Sequence, residues 1–329
     1  MVGRSRGSLV TAEKDLWFTF TQAGTYYIDI AQCLSLVNRR FYRQGMQYAV
    51  SDLEMNADGV VTNLVTRMPE TWVVASAWEK CMRHWLEQQD DYAREAGIQS
   101  TTAAYRDFKV YLDDVHTALP GGMLGNSLPQ GVRDLTLLPA GAVYEWDESQ
   151  VVIPNDGAVG VTTERTFHMI GGDVGSTSAG MIEAYAESRS RPFAVDPNFV
   201  DVPTGGILGK MEDVGDDGAD IVTNLQSNNH KPPYVIGDNT VTEFYPGGSL
   251  WAVNPEAHTE TIMTIRNTAP TGGIFHTTYS PGFLANCGLL RLTIAYPDVE
   301  NHPSAVFLKV GLLGGEYKGV AARSMAVVN

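Results

Sequence analysis

The chain has no apolar run approaching the roughly 18 residues that a membrane-spanning helix needs. Its opening residues, MVGRSRGSLVTAEK, carry no apolar core of a secretory signal. With no Asn-x-Ser/Thr acceptor anywhere, these absences predict a protein made in the cytosol, with no membrane partner. Cysteine is scarce too. Cys33, Cys81 and Cys287 lie far apart without CxxC spacing, which argues against a disulfide framework or a zinc knuckle and leaves three small buried apolar residues. Positive charge is also in short supply: 23 Lys and Arg face 38 Asp and Glu, a formal net charge of −15. A protein that grips nucleic acid over its whole surface is normally basic, because phosphate neutralisation supplies most of the affinity. Contact with nucleic acid must here be confined to a local basic patch.

Signatures of catalysis are equally sparse. The seven histidines, at 84, 116, 168, 230, 258, 276 and 302, show no HxH or HxxxH spacing. Gly171-Gly172-Asp173-Val174-Gly175 matches no phosphate loop. Gly175-Ser176-Thr177-Ser178-Ala179-Gly180 approaches a hydrolase elbow but lacks its first glycine and precedes a strand-like run. No enzyme is expected, and no cofactor. The acidic run from Glu212 to Asp220 resembles a calcium loop, yet the third position counted from Asp213 is Gly215 and the twelfth is Asn224. It reads as a solvated acidic loop, with calcium shared between subunits as the competing reading.

What the chain does contain is short apolar runs broken by turn residues, with 33 Gly and 16 Pro scattered among them. Residues 15–32 give two aromatic-rich strands split at Gln22-Ala23-Gly24, and Asn56-Ala57-Asp58-Gly59 marks a hairpin turn. Residues 72–96 form the one convincing helix, with Trp78, Cys81, Met82, Trp85, Gln89 and Tyr92 on a single stripe and Gly97 as its stop. Trp78 and Trp85 are read as packing residues. Further strands are expected near 105–112, 143–153, 161–170, 180–189, 259–267, 289–296 and 304–313. Between them, 192–258 is rich in Pro, Gly, Asn and Asp and reads as a surface insertion with a short helix near 207–227. No internal repeat is found. The expected organisation is a flexible arm (1–14), a first β part (15–191), the insertion (192–258), and the last strands (259–329). The fold class is mainly β: a single jelly-roll sandwich with one helix in a strand connection and a long loop insertion before the last strands.

Two basic clusters stand out. Arg4, Arg6 and Lys14 lie near the start, and Arg39, Arg40 and Arg43 flank Phe41 and Tyr42. Arginine interleaved with aromatic residues suits phosphate contact and base stacking, or ion pairs with acids of a neighbouring chain. Trp146, Tyr245 and Trp251 are the residues on which a glycan-binding alternative would rest.

DLWFTFT (15–21), YYIDIAQCLSLVNRRFYRQGMQY (26–48), PETWVVASAW (69–78), YRDFKVYLD (105–113), AYAESRSRP (184–192), PPYVIGD (232–238) and EFYPGG (243–248) together resemble coat proteins of circovirus-like viruses. Those viruses have circular single-stranded DNA and encode a replication initiator. The resemblance runs from about residue 15 to 300, nearly the whole chain. It implies one jelly roll whose copies assemble into an icosahedral virion around single-stranded DNA, with outer loops meeting a host receptor. Members usually begin with a long Arg-rich arm lining the interior. Here only Arg4, Arg6 and Lys14 stand against Glu13, so Arg39, Arg40 and Arg43 are expected to share that work.

Overall fold

Along β1 (Asp15–Phe20) burial alternates residue by residue, with Leu16, Phe18 and Phe20 turned inward. This period of two is what a strand with one wet face dictates. The computed structural model describes residues 11–98, 106–132, 146–154, 162–190, 259–267, 276–298, 300 and 302–328. After β1 come β2 (Gly24–Asp29), α1 (Ile30–Asn38), β3 (Met46–Ala57), β4 (Val61–Arg67) and α2 (Trp72–Glu95). Next are β5 (Tyr111–Asp113), α3 (Asp114–Thr117), β6 (Gln150–Pro154), β7 (Thr162–Ile170), β8 (Ser178–Gly180) and α4 (Met181–Ser190). The chain closes with β9 (Glu260–Asn267), β10 (His276–Ser280), β11 (Phe283–Ala285), β12 (Leu289–Ala295), β13 (Val306–Leu312) and β14 (Ala322–Ser324).

The protein is mainly β, built on two antiparallel sheets. One runs in the order β1-β13-β3-β10, with β11 and β14 also paired to β3; the other runs β2-β12-β4-β9. Leu16, Phe18, Val50, Leu53, Leu308 and Val310 from the first sheet meet Ile28, Val65, Leu290 and Leu292 from the second in one apolar core. Burying each such side chain contributes about 1.5–3 kcal/mol.

Sheet two is covered on its other face as well. Tyr27 and Leu289, which alternate with Ile28 and Leu290, belong to a second core with Met68, Trp78, Phe108, Met169 and Ile182. That second layer is the long excursion between β4 and β9. It carries α2, α4 and a small mixed sheet in which β7 pairs parallel to β5 and β8 and antiparallel to β6. α2 spans the expected range, capped by the Thr71 hydroxyl on the Val74 amide and stopped by Gly97 at φ +71°. Trp78 packs edge-on to Phe108, the core role expected for it.

Four expectations are corrected. Asn56–Gly59 does not close a hairpin: β3 and β4 lie in different sheets, and the turn carries the chain across the sandwich. The alternation of two consecutive runs is the same whether they pair side by side or stack face to face. Residues 181–190 are helical, with Met181, Ile182 and Tyr185 buried on one face; MIEAY satisfies both periods, and only the packing decides. α1 was also unforeseen, so more than one helix interrupts the strands. Its N-cap is Asp29, whose Oδ1 accepts from Ala31 N (2.9 Å) and Gln32 N (3.1 Å). Finally, the strands expected near 105–112, 143–153 and 161–170 belong to the excursion's small sheet, not to the sandwich. The 192–258 insertion and its helix near 207–227 lie outside the described residues.

A short strap runs over one flank of the sandwich. Ser127 N donates to the Tyr27 carbonyl (2.7 Å) and Gln130 N to the Trp17 carbonyl (2.6 Å), so one segment caps the outer strands of both sheets, β2 and β1. No helix among the described residues is long and apolar enough to cross a membrane.

Candidate nucleic-acid interface

α1 ends in a way that throws charge outward. Arg39 adopts the left-handed conformation (φ 52°) with its N–H on the Ser35 carbonyl, and Arg40 N reaches the same oxygen (3.2 Å). Ser35 Oγ then accepts from Tyr42 N (2.8 Å), which folds the loop back on the helix. Arg39, Arg40 and Arg43 are exposed, whereas Tyr42 is fully buried and its hydroxyl donates to the Lys318 carbonyl (2.8 Å). Stacking of bases on Tyr42, expected from the sequence, is therefore excluded. Phe41 is half-buried, and the ammonium groups of Lys109 (5.8 Å) and Lys318 (5.9 Å) both sit near its ring centre.

The long-range partners are what the sequence concealed. The Arg40 guanidinium donates to the Thr11 carbonyl (3.0 Å) and that of Arg43 to the Arg106 carbonyl (2.6 Å), while Arg43 N donates to Tyr317 Oη (3.0 Å). Lys318 Nζ donates to the Phe41 carbonyl and lies 5.5–5.9 Å from the centres of Tyr317, Tyr42 and Phe41. Among the described residues, Arg39, Arg40, Arg43 and Lys318 join no ion pair, although the chain is strongly acidic.

These groups share one end of the sandwich. β1 begins there at Asp15, opposite Gly311, and the next residue of β13 is Leu312, whose N–H donates to the Lys14 carbonyl (3.1 Å). Lys14 is exposed at this end, so the structure brings it beside the loop that carries Lys318. Glu13 is held by Asn38 in a two-way hydrogen bond (2.7 and 3.1 Å). Arg4 and Arg6 lie outside the described residues.

Beneath the cations lies a buried polar network that fixes the loop and ties the excursion to the sandwich. Gln44 is its hub: its N–H donates to Asp107 Oδ2 (3.0 Å), its side-chain amide to Asp29 Oδ2 (2.9 Å), and its Oε1 accepts from Val110 N (2.6 Å). Trp146 Nε1 donates to the same Asp29 oxygen (3.1 Å). Burial pushes the Asp29 carboxyl up to about 6, against the pull of its four donors. Trp146 is buried here under Lys109, which removes it as a saccharide platform; Tyr245 and Trp251 lie outside the described residues. Further along, His116 takes Leu112 N on Nδ1 (3.0 Å) and Asn126 Oδ1 on Nε2 (2.7 Å), and burial drives it down to about 3, so it stays neutral. Asp113 accepts from Tyr27 Oη (2.7 Å) and pairs with Arg291 (3.3 Å), joining β5 to β2 and β12.

The elbow-like segment also forms a contact that spacing did not reveal. His168 Nδ1 lies 2.8 Å from Ser178 Oγ and its Nε2 2.9 Å from the Gly172 carbonyl. With Nε2 donating to a carbonyl, Nδ1 accepts the serine proton. A helix follows this segment, not the strand that was expected, but both side chains are fully buried. The pair latches the Gly171–Gly172 turn onto β8. Among the described residues, no group of three or more His, Cys, Asp or Glu side chains could hold a metal ion, and the acidic run 212–220 lies outside them. Cys33 and Cys287 are the buried core residues expected, whereas Cys81 is only half-buried against the second core; burial raises the thiol pKa of all three, that of Cys81 to about 12. No protein-family model, curated protein or solved structure matches the chain.

Proposed function

We propose that this protein is a shell-forming coat protein, its β body a jelly roll, whose copies enclose a single-stranded DNA genome in an icosahedral virion. The strand order supports the fold half of the reading. Numbered one to eight along the chain, the strands β1, β2, β3, β4, β9, β10, β12 and β13 lie as 1-8-3-6 in one sheet and 2-7-4-5 in the other. That interleaving is what two Greek keys wound together would give, and so supports a jelly roll, an architecture used by capsid subunits, lectins and cupins alike.

Because fold does not fix function, the site must choose among these. The observation that carries the choice is the distribution of charge. A chain of net charge −15 gathers Arg39, Arg40, Arg43, Lys318 and Lys14 at one end of its sandwich, around the point where residues 1–10, with Arg4 and Arg6, join Thr11. A subunit that gathers five cations at one end, interspersed with the exposed Glu13, Asp15 and Glu316, suits a shell whose inner surface meets phosphate locally while the acidic body stays soluble. The likeness of its wording to circovirus-like coat proteins points the same way.

Negative-stain electron microscopy of the expressed protein, with the absorbance ratio of nucleic acid to protein on the same particles, tests the reading. Closed, uniform shells are expected. Monomers alone at neutral pH would overturn it.

A further inference from the structure

Among the described residues only Arg39, Cys287 and Lys318 are non-glycine residues at positive φ. Two of the three are cations of the cluster. Lys318 stands at φ 53° in the loop joining β13 to β14, and the next residue, Gly319, is itself at positive φ. A left-handed backbone strains an ordinary residue, a strain that Gly or Asn would largely avoid. The lysine side chain is thus presented from a strained backbone.

Its surroundings say what that side chain is set up to meet. The Lys318 ammonium sits among the rings of Phe41, Tyr42 and Tyr317, and one of its protons is spent on the Phe41 carbonyl. Arg43 is fixed by the same ring, because its N–H donates to Tyr317 Oη, and one arm of its guanidinium is spent on the Arg106 carbonyl. Burial first, and then the charge of Arg43, lowers the Lys318 pKa; Asp107 pulls the other way. Asp107 is itself engaged by Gln44 N and lies under the loop. Glu316, two residues before Lys318, forms no ion pair among the described residues. Arg43 and Lys318 repel each other on this scaffold of rings and carbonyls, with the buried Asp107 as the counter-charge beneath them, and their remaining N–H donors can take an added anion.

We infer that Lys318 and Arg43 form a phosphodiester clamp for single-stranded nucleic acid, reached by the N–H groups that Phe41 and Arg106 leave unused. This deepens the packaging role proposed above and rests on it for its ligand. The neighbouring Arg39 and Arg40 extend the track along the strand, as an electrostatic groove for a sequence-independent partner requires.

Fluorescence anisotropy of the full chain with labelled oligothymidylate, over a salt series, reads the clamp directly. Each lost phosphate contact lowers the slope of log K against log salt by about 0.7. Lys318→Asn keeps the left-handed backbone and should lower the slope by about one such step, and Arg43→Gln by about another, with Lys318→Arg close to the parent. Near-UV circular dichroism and the melting midpoint verify that the variants are folded. A parent that does not bind, or an unchanged slope in Lys318→Asn, would overturn the clamp. So would polyglutamate bound with the same salt dependence and the same loss in Lys318→Asn, which would make the ligand an acidic protein. The two readings separate cleanly. Shells whose nucleic-acid content ignores Lys318→Asn sink the clamp alone, and a monomer that binds the oligonucleotide through both residues sinks the shell alone.

Discussion

Replacing Asp29 by Asn should remove a segment of the protein's pH dependence whose size follows from the burial of that carboxylate. Asp29 caps α1 with one oxygen and takes Gln44 Nε2 and Trp146 Nε1 on the other. Burial lifts its pKa from 3.8 to about 6. The native state thus holds this proton more tightly than the unfolded chain does. The stability it contributes is complete below pH 3.8 and is lost as pH rises through about 6. At about 1.4 kcal/mol per unit the full loss is about 3 kcal/mol, of which about 2 kcal/mol falls between pH 4.5 and 7.5. In the Asn variant the cap oxygen survives, but the new amide faces two donors. Gln44 cannot turn over to help, because its Oε1 is committed to Val110 N. Two buried donors left unpaired cost about 1–3 kcal/mol each. The variant should therefore be the less stable protein at pH 4.5, with the gap to the parent narrowing by about 2 kcal/mol at pH 7.5. Urea unfolding of both proteins across this range, at constant m, measures the difference. Asp107 and Asp113, also raised by burial, titrate alike in both proteins and cancel. Parallel stability curves for parent and variant would refute the argument.

Three further outcomes are expected. Changing Arg39, Arg40 and Arg43 together to Gln should lower the nucleic-acid content of particles or block assembly; an unchanged absorbance ratio would refute an interior role for the cluster. Gly180→Ala would set a Cβ 2.4 Å from the Gly171 carbonyl, and a backbone neighbour cannot swing away. The melting temperature should fall by the equivalent of about 1–3 kcal/mol or more, and a neutral result would show that the turn next to β8 can shift. Ser178→Ala leaves His168 Nδ1 buried without its donor and should cost about 1–3 kcal/mol in chemical denaturation, whereas no change would mean that water replaces the hydroxyl.

Local periodicity made some of this legible and left the rest hidden. α2 could be read because its stripe from Trp78 to Tyr92 runs through about four turns and the helix stops at a glycine, and β1 and β2 because aromatic alternation breaks at Gly24. α1 could not: IAQCLSLVN is short and apolar, and its strongest signal, the Asp29 cap, looks like the end of a strand. Pairing was hidden for a deeper reason. β4 meets β9 across nearly two hundred residues, so the excursion's own strands looked like members of the sandwich. The cluster divides in the same way. Arg39, Arg40 and Arg43 were visible as a run, but Lys318, which hydrogen-bonds to Phe41 across 277 positions, had no local mark beyond an ordinary Tyr-Lys-Gly turn.

The Ser127–Gln130 segment has a bearing on how copies of this chain can meet. By taking carbonyls of Tyr27 and Trp17 into its own hydrogen bonds, it denies both ladders the uninterrupted acceptor row that an incoming strand would zip onto. Strand addition at that seam is opposed at those two positions. Contacts made by another molecule at those two positions would fall to side chains and loops, the kind of joint that sets an angle between neighbours instead of extending a ribbon.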